Sequence, residues 1–345
     1  MATPQPVLAP PATAAVFLVV TVDPGGESAA RDALDGLAGL ARSVAFRAPE
    51  DRLSVVVGIG ASVWPRLFDT PPPHDLHPFR PLRGPRHTAP GTPGDLLFHL
   101  RARRIDLCFE LARLIVDGLG GAVTVVDEVH GFRYFDSRDL LGFVDGSENP
   151  EGPAAGAAVY IGDEDPDHTG GSYVVVQKYV HDLTTWDTLS VEEQERVIGR
   201  TRSANVELPD EVKPADSHVA VNTIVDADGD ERQIVRDNMV FGSVGQAEFG
   251  TYFIGYARTP EVTERMLDRM FLGEPPGVTD RILDFSTALT GCLFFVPSAD
   301  FLDDLPDPPS ASASVPATTP AEATTPAGPA APSDGSLAIG SLKGA

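Results

Sequence analysis

The feature that most constrains this chain is a recurring order of segments: a short Val-rich run, then a longer stretch with apolar residues at helical spacing, then another Val-rich run. From Ala14 to Val22, "AAVFLVVTV" has the length and β-branched content of a buried strand, and "GGESAARDALDGLAGLARSV" follows with Ala and Leu recurring every three or four positions. "LSVVVGIG" is then a second strand. A stretch crowded with proline, "PPPHDLHPFRPLRGPRHTAPGTPG", must be loop, because proline donates no ladder hydrogen bond and breaks helices. "DLLFHLRA", "IDLCFELARLIVDGL" and "AVTVVDEVHGFRYF" repeat strand, helix, strand.

The second half runs in the same order. "GSYVVVQKYVHDL" predicts a strand, "SVEEQERVIGR" a helix, "VRDNMVFG" and "TYFIGYAR" extended segments, "PEVTERMLDRMF" a helix and "GCLFFVP" a closing strand. Two ferredoxin-like α+β halves of the dimeric α+β barrel type, each a four-stranded antiparallel sheet with helices packed outside, fit this order better than a doubly wound parallel sheet. The expected organisation is a flexible N-terminus over 1–13, an N-terminal domain over 14–155, a C-terminal domain over 156–304, a Pro/Ala/Thr linker over 305–334 and a terminal peptide over 335–345.

Composition narrows the partners. Lys and Arg total 26 against 50 Asp and Glu, a formal charge of −24, which repels phosphate backbones and anionic lipid. Nucleic acid and membrane surfaces are therefore not expected partners. The only cysteines are Cys108 and Cys292, so no disulfide framework is expected and a reducing, cytoplasmic setting is. The first apolar run lacks a basic leader and is read as a strand, not as a signal peptide or membrane span.

Three clusters carry chemistry. In "LLGFVDGSENP" (Leu140–Pro150), Asp145 sits between glycines that let backbone approach another group closely, although "DGSENP" is equally good turn chemistry. In "DSHVAVN", His218 precedes alternating apolar residues, as on a strand entering a core. In "QIVRDNMVFG", strand alternation puts Arg236 and Asn238 on one face and Asp237 on the other. A guanidinium beside a carboxamide makes a donor surface for an anionic or peroxidic oxygen; an ion pair on an edge strand is the plainer alternative.

In order and spacing these clusters together resemble the dye-decolourising peroxidases of the compact bacterial B type, over about Val16 to Pro297. The resemblance implies a haem b enzyme with its cofactor in the C-terminal half. It implies His218 as the proximal ligand of the haem iron, with Asp280 or Asp284 of "TDRILDFST" accepting the other ring proton; Asp280 is preferred. Asp145 would move the peroxide proton on the opposite face, Arg236 would stabilise charge on the departing oxygen, and Asn238 would hold water or peroxide. Hydrogen peroxide and small organic reductants are the implied substrates, and a symmetric homo-oligomer is expected. Glu148 and Glu231 are candidate ligands for a cation such as manganese, against the plainer reading of solvated surface acids. The alternative function is haem handling, deferrochelatase-like or storage, with weak turnover.

The end of the chain is different in kind. About 26 residues, Pro309 to Asp334, are almost entirely Pro, Ala, Thr and Ser, and would reach roughly 28 Å as a coil or roughly 80 Å as polyproline helix. They end in "SDGSLAIGSLKGA", where Leu337, Ile339 and Leu342 are apolar residues with no core to join. "DGSLAIGSLKG" resembles the cargo-loading peptides of encapsulin nanocompartments, implying an encapsulin shell as partner and a location inside it.

The charge balance yields one expectation for turnover. At low salt an anionic dye should be oxidised faster as pH falls from neutrality toward the sequence pI of about 4.5, because repulsion fades there. Equal rates at pH 4.5 and 7.5 would show that surface charge does not control access.

Overall fold

The computed structural model describes residues 2–310, of which the compact unit runs to Pro309. Eight strands frame it: β1 (Ala14–Val22), β2 (Ser54–Gly60), β3 (Leu96–Ala102), β4 (Val123–Phe132), β5 (Ser172–His181), β6 (Met239–Ser243), β7 (Glu248–Ala257) and β8 (Cys292–Val296). In the first half β1 pairs with β3 and β4, and β2 with β3, all antiparallel, giving the order β4-β1-β3-β2. The second half repeats it: β5 pairs with β7 and β8, and β6 with β7, giving β8-β5-β7-β6. Both halves are ferredoxin-like.

The two sheets do not stay separate. β2 meets β8 through Gly60↔Phe294 and Ile59↔Phe295, and β4 meets β6 through Val240↔Phe132, so the eight strands close into one ring. Closure explains why β1 is buried on both faces instead of alternating with solvent. Phe17 and Val19 point into the barrel with Val56, Leu97, Val174, Tyr252 and Phe294. Val16, Leu18 and Val20 point outward against the helices.

Both seams need a missing side chain. A Cβ on Gly58 would lie 2.8 Å from Phe294 Cβ, and one on Gly131 would lie 2.5 Å from Met239 Cβ. Glycine permits the approach of strands that share only one or two register pairs.

Helices cover the outer face. α1 (Glu27–Ala45) buries Ala30, Leu34 and Leu37, and α2 (Ile105–Leu119) buries Leu107, Cys108, Leu111, Ala112, Ile115 and Leu119, each a single apolar stripe. In the second half come α3 (Gly152–Val159), α4 (Val191–Ile198), α5 (His218–Asn222) and α6 (Pro260–Phe271). Ser190 caps α4 by accepting from Glu193 N–H, and α6 starts with Pro260 at its first position after the Thr259 cap. Among the described residues no helix is long and apolar enough to cross a membrane.

Three expectations are corrected. The segment "DSHVAVN" is a short helix, not a strand, because the turn from Pro214 to Ser217 leads directly into i→i−4 bonding. Residues 2–13 are not loose: the Gln5 side chain donates to Val57 O and Pro297 O and accepts from Val57 N–H, and Gln5 and Val7 are buried. The linker starts later than residue 305, since Leu305 packs on the core and Asp307 O accepts from Asp69 N–H.

Two glycine substitutions separate the demands of closure from ordinary helix propensity. Gly131→Ala should lower stability by about 1–3 kcal/mol through overpacking at the β4–β6 seam. Gly36→Ala, in α1 with nothing within 4 Å of its added methyl, should raise it by about 0.5–1 kcal/mol. Denaturant unfolding of both variants checks the pair; a neutral Gly131→Ala would remove the close-approach argument.

Candidate active site

A large cavity lies against the outer face of the second sheet, about 1420 Å³ counting the part open to solvent. Its floor is made by residues of β5 and β7 that alternate away from the barrel: Gln177, Tyr179 and His181, then Thr251 and Phe253. Met266, Leu267 and Met270 of α6 wall one side, His218 and Val219 of α5 another, and the 139–148 loop and the 231–238 segment complete it. Most of this lining is apolar, and the polar groups converge from a few positions.

His218 is the first residue of α5. Its Nδ1–H donates to Asp280 Oδ2 at 2.7 Å, and among the described residues Nε2 has no hydrogen-bond partner. Asp280 is completely buried and fixed from several sides: its Oδ1 accepts from Ile282 N–H, Asn222 Nδ2 donates to Oδ2, and its own N–H donates to Met270 O at the end of α6. Burial opposes charge on the His218 ring, but the Asp280 carboxylate outweighs it and leaves the imidazole pKa raised. Asp284 takes no part, because its Oδ1 is held by Arg86 at 2.6 Å and His87 at 3.1 Å.

Across the cavity the loop carrying "GFVDG" folds back on itself through Tyr134, Arg138 and Val144, and Asp145 N–H donates to Ser137 O. Gly142 and Gly146 both have positive φ, 96° and 73°, which the turn requires. Asp145 Oδ1 accepts from Gly146 N–H at 2.7 Å, while Asn238 Nδ2 donates to Oδ2 at 3.0 Å. The other end of the Asn238 carboxamide accepts from Ile254 N–H, so Asn238 bolts the Asp145 carboxyl group to β7.

Arg236 and Asn238 face the cavity and Asp237 faces the barrel, as their spacing requires. The backbone of Arg236 is clamped at both its N–H and its C=O by the Asn149 carboxamide, at 2.9 and 2.7 Å. The guanidinium has no carboxylate partner among the described residues, and its Nε is buried without a hydrogen bond. An unpaired cation held there favours an anionic or oxygen-bearing ligand.

Glu148 and Glu231 line the same cavity, but Glu148 is engaged by Arg200. Among the described residues no cluster of three or more His, Cys, Asp or Glu able to hold a metal ion occurs. Leu337, Ile339 and Leu342 lie outside the described residues. Two residues at the site escaped the sequence reading. Asn149 stands in "DGSENP" with no distinguishing chemistry, and Asp139 is one acid among many. Asp139 lines the cavity with its pKa pushed up to about 7 by burial, against the Phe143 N–H bond and with help from nearby Asp145.

Comparison with known proteins agrees along the whole folded part. The chain matches the family description "Dyp-type peroxidase, N-terminal" over residues 4–133 and "Dyp-type peroxidase, C-terminal" over 136–301. It is 61% identical over 341 residues to a dye-decolorizing peroxidase of Mycolicibacterium paratuberculosis, covering 99% of this chain and 93% of that one. A second, from Mycobacterium tuberculosis, is 60% identical over 341 residues, covering 99% and 97%. Among solved structures, the encapsulated DyP-type peroxidase from Mycobacterium smegmatis superposes with a TM-score of 0.88 at 62% identity, covering 90% of this chain and 100% of that one. A variant of Rhodococcus jostii DypB in complex with heme gives 0.86 at 61% identity, covering 88% and 99%. With both halves matched in order and at this level of identity, the chain belongs to the Dyp-type peroxidase family.

Proposed function

We propose that the protein is a haem b peroxidase that reduces hydrogen peroxide and oxidises small organic reductants one electron at a time. In this reading the halves 14–155 and 156–304 are its two domains, and the cavity on the second holds the cofactor. The observation that carries it is the Arg236 guanidinium, without a carboxylate partner among the described residues, sharing with an Asp145 carboxyl group fixed by Asn238 the cavity that His218 lines.

The residues present fit the cofactor. His218 spends Nδ1–H on a buried carboxylate, so the lone pair of Nε2 is left to bind iron, and a carboxylate on the far nitrogen makes an imidazole a stronger donor. Phe253, Ile198, Val219, Met266, Leu267 and Met270 supply apolar walls for a planar ring. Gln177 Nε2 and Arg236 Nε are buried donors without protein partners, as expected where a bound group completes the shell. Haem held there supplies a redox-active iron; the relative in complex with heme supports this choice.

Around it the chain's own groups handle charge and protons. Asp145 is placed to accept a proton from one peroxide oxygen and return it to the other, which must leave as water. Arg236 stabilises the negative charge that develops on the departing oxygen. Asn238 orients Asp145, its carboxamide nitrogen donating to the carboxyl group and its oxygen accepting from Ile254 N–H, and its second amide hydrogen is left to hold water or peroxide. Glu148 and Glu231 line the cavity as the candidate acids for a cation, and a variant of a relative, DypB, has been solved in complex with manganese.

For the end of the chain we propose an address. The terminal "DGSLAIGSLKGA" would dock Leu337, Ile339 and Leu342 into pockets of an encapsulin shell protein, placing the enzyme inside a cytoplasmic nanocompartment. The encapsulated relative from Mycobacterium smegmatis supports this reading.

Purified protein should show a Soret band that changes on adding peroxide; its absence would remove the haem assignment. Arg236→Leu should slow that change at least as much as Asp145→Ala, because removing a fixed charge of this kind costs roughly 2.7–4 kcal/mol, whereas water can relay a proton. Stopped-flow absorption with the opposite ranking would refute this division. Deleting Ser333–Ala345 should abolish co-assembly with an encapsulin shell and leave peroxide turnover unchanged; retained loading would sink the address.

A further inference from the structure

We infer that Asp237, through its buried ion pair with Arg101, positions Arg236 and Asn238 for the peroxide reaction; this rests on the peroxidase reading above. Because neighbours on a strand point to opposite faces, any backbone that presents Arg236 and Asn238 to the cavity must push Asp237 into the barrel. A carboxylate inside an apolar barrel needs a partner. Arg101 of β3 supplies one, its Nη1 donating to Asp237 Oδ2 at 2.6 Å, with the two side chains 2% and 17% exposed.

Arg101 is itself immobilised. Its Nη1 and Nη2 also donate to Val7 O and Pro6 O, so the pair ties the 235–238 segment to a strand of the first half and to the N-terminal segment. His99, two residues earlier on β3, donates or accepts at Tyr256 OH through Nδ1 and brings Nε2 to 4.0 Å from Asp237 Oδ2. Asp237 therefore has a rigid place to be.

The surrounding ladder is too weak to set that position alone. Regular pairing holds Val235↔Tyr256 and Arg236↔Gly255 and resumes only at Met239↔Tyr252. In the gap Asp237 N–H reaches Ile254 O at 3.2 Å, but Ile254 N–H is given to the Asn238 side chain instead of a backbone carbonyl. With one ladder bond diverted, side-chain anchors fix the tripeptide: Asn149 on the cavity side at Arg236, and Arg101 on the barrel side at Asp237. Losing the barrel anchor would displace the guanidinium and the Asn238–Asp145 bond together.

A buried ion pair that served stability alone could be replaced by an apolar pair of similar volume. The test uses the haem-loaded protein and the variants Asp237→Asn, Asp237→Glu and the double variant Arg101→Met/Asp237→Leu. Three quantities are read: the thermal midpoint, the dissociation constant of fluoride, an anion that draws on the cavity's unpaired cation, and the rate of the peroxide-induced absorption change. The double variant is expected to keep its midpoint within a few degrees of wild type while fluoride affinity and peroxide rate both fall roughly tenfold to 100-fold. If it does not fold, Asp237→Glu, which keeps the charge pair but lengthens the anchor by one methylene, is expected to show the same paired loss. Wild-type fluoride affinity and rate in a folded double variant, or in Asp237→Glu, would overturn the inference. A wild type that binds no haem or ignores peroxide would overturn the underlying reading instead.

Discussion

Closure of the ring governs the rest of this molecule. Two four-stranded sheets with the same internal order could each stand alone, but here β2 hydrogen-bonds to β8 and β4 to β6. Closing removes the free edges that open sheets must otherwise protect. It gives strands such as β1 and β3 two buried faces, one turned to a lumen packed by Phe17, Tyr252 and Phe294 and one turned to helices, whereas β4 stays exposed along much of its length. The cavity lies against the outer face of the second sheet, and two pairs of its floor residues, Thr251 with Tyr179 and Phe253 with Gln177, are partners in register across β5 and β7.

Because the barrel wall is one sheet thick, the site is addressed from both sides. From outside, Asn149 and Asp145 meet the 236–238 segment; from inside, Arg101 does. His218 is reached by a separate route, through the buried Asp280 that is itself fixed to the end of α6. His218 and the Asp145–Asn238 pair thus belong to different supports, and a disturbance of one need not move the other. That separation suits the division of labour proposed above, in which His218 would hold an iron and Asp145 would move protons.

Much of this was legible in the residues. Val-rich runs such as "AAVFLVVTV" and "GCLFFVP" announced strands because two-sided burial leaves no polar alternation to obscure them, and the two-residue spacing of Arg236 and Asn238 fixed their common face. What stayed hidden depended on contacts between distant segments. "HVAVN" looks like a strand, and only the turn before it makes it five residues of helix. Asp280 and Asp284 are indistinguishable by spacing until Arg86 and His87 are seen to occupy Asp284. Asn149 and Asp139 had no signature, since a carboxamide clamp and a buried acid owe everything to what surrounds them. A barrel type was expected, but which strands meet at its seams, β2 with β8 and β4 with β6, depends on contacts between the halves that strand order does not carry.

The anchoring of the N-terminal segment has a consequence for how the chain reaches this state. Gln5 completes its hydrogen bonds only when Val57 and Pro297 are both in place, and Thr3 exchanges bonds with Ala299 and Asp300. Gln5 is therefore made long before Pro297, 292 positions further on, and completes its bonds late. Such separations, close to the full length of the compact unit, make for slow folding, because the entropy of bringing the ends together must be spent before the contacts form. Until Phe294 and Phe295 of β8 have been synthesised, β2 stands open there as an unpaired edge.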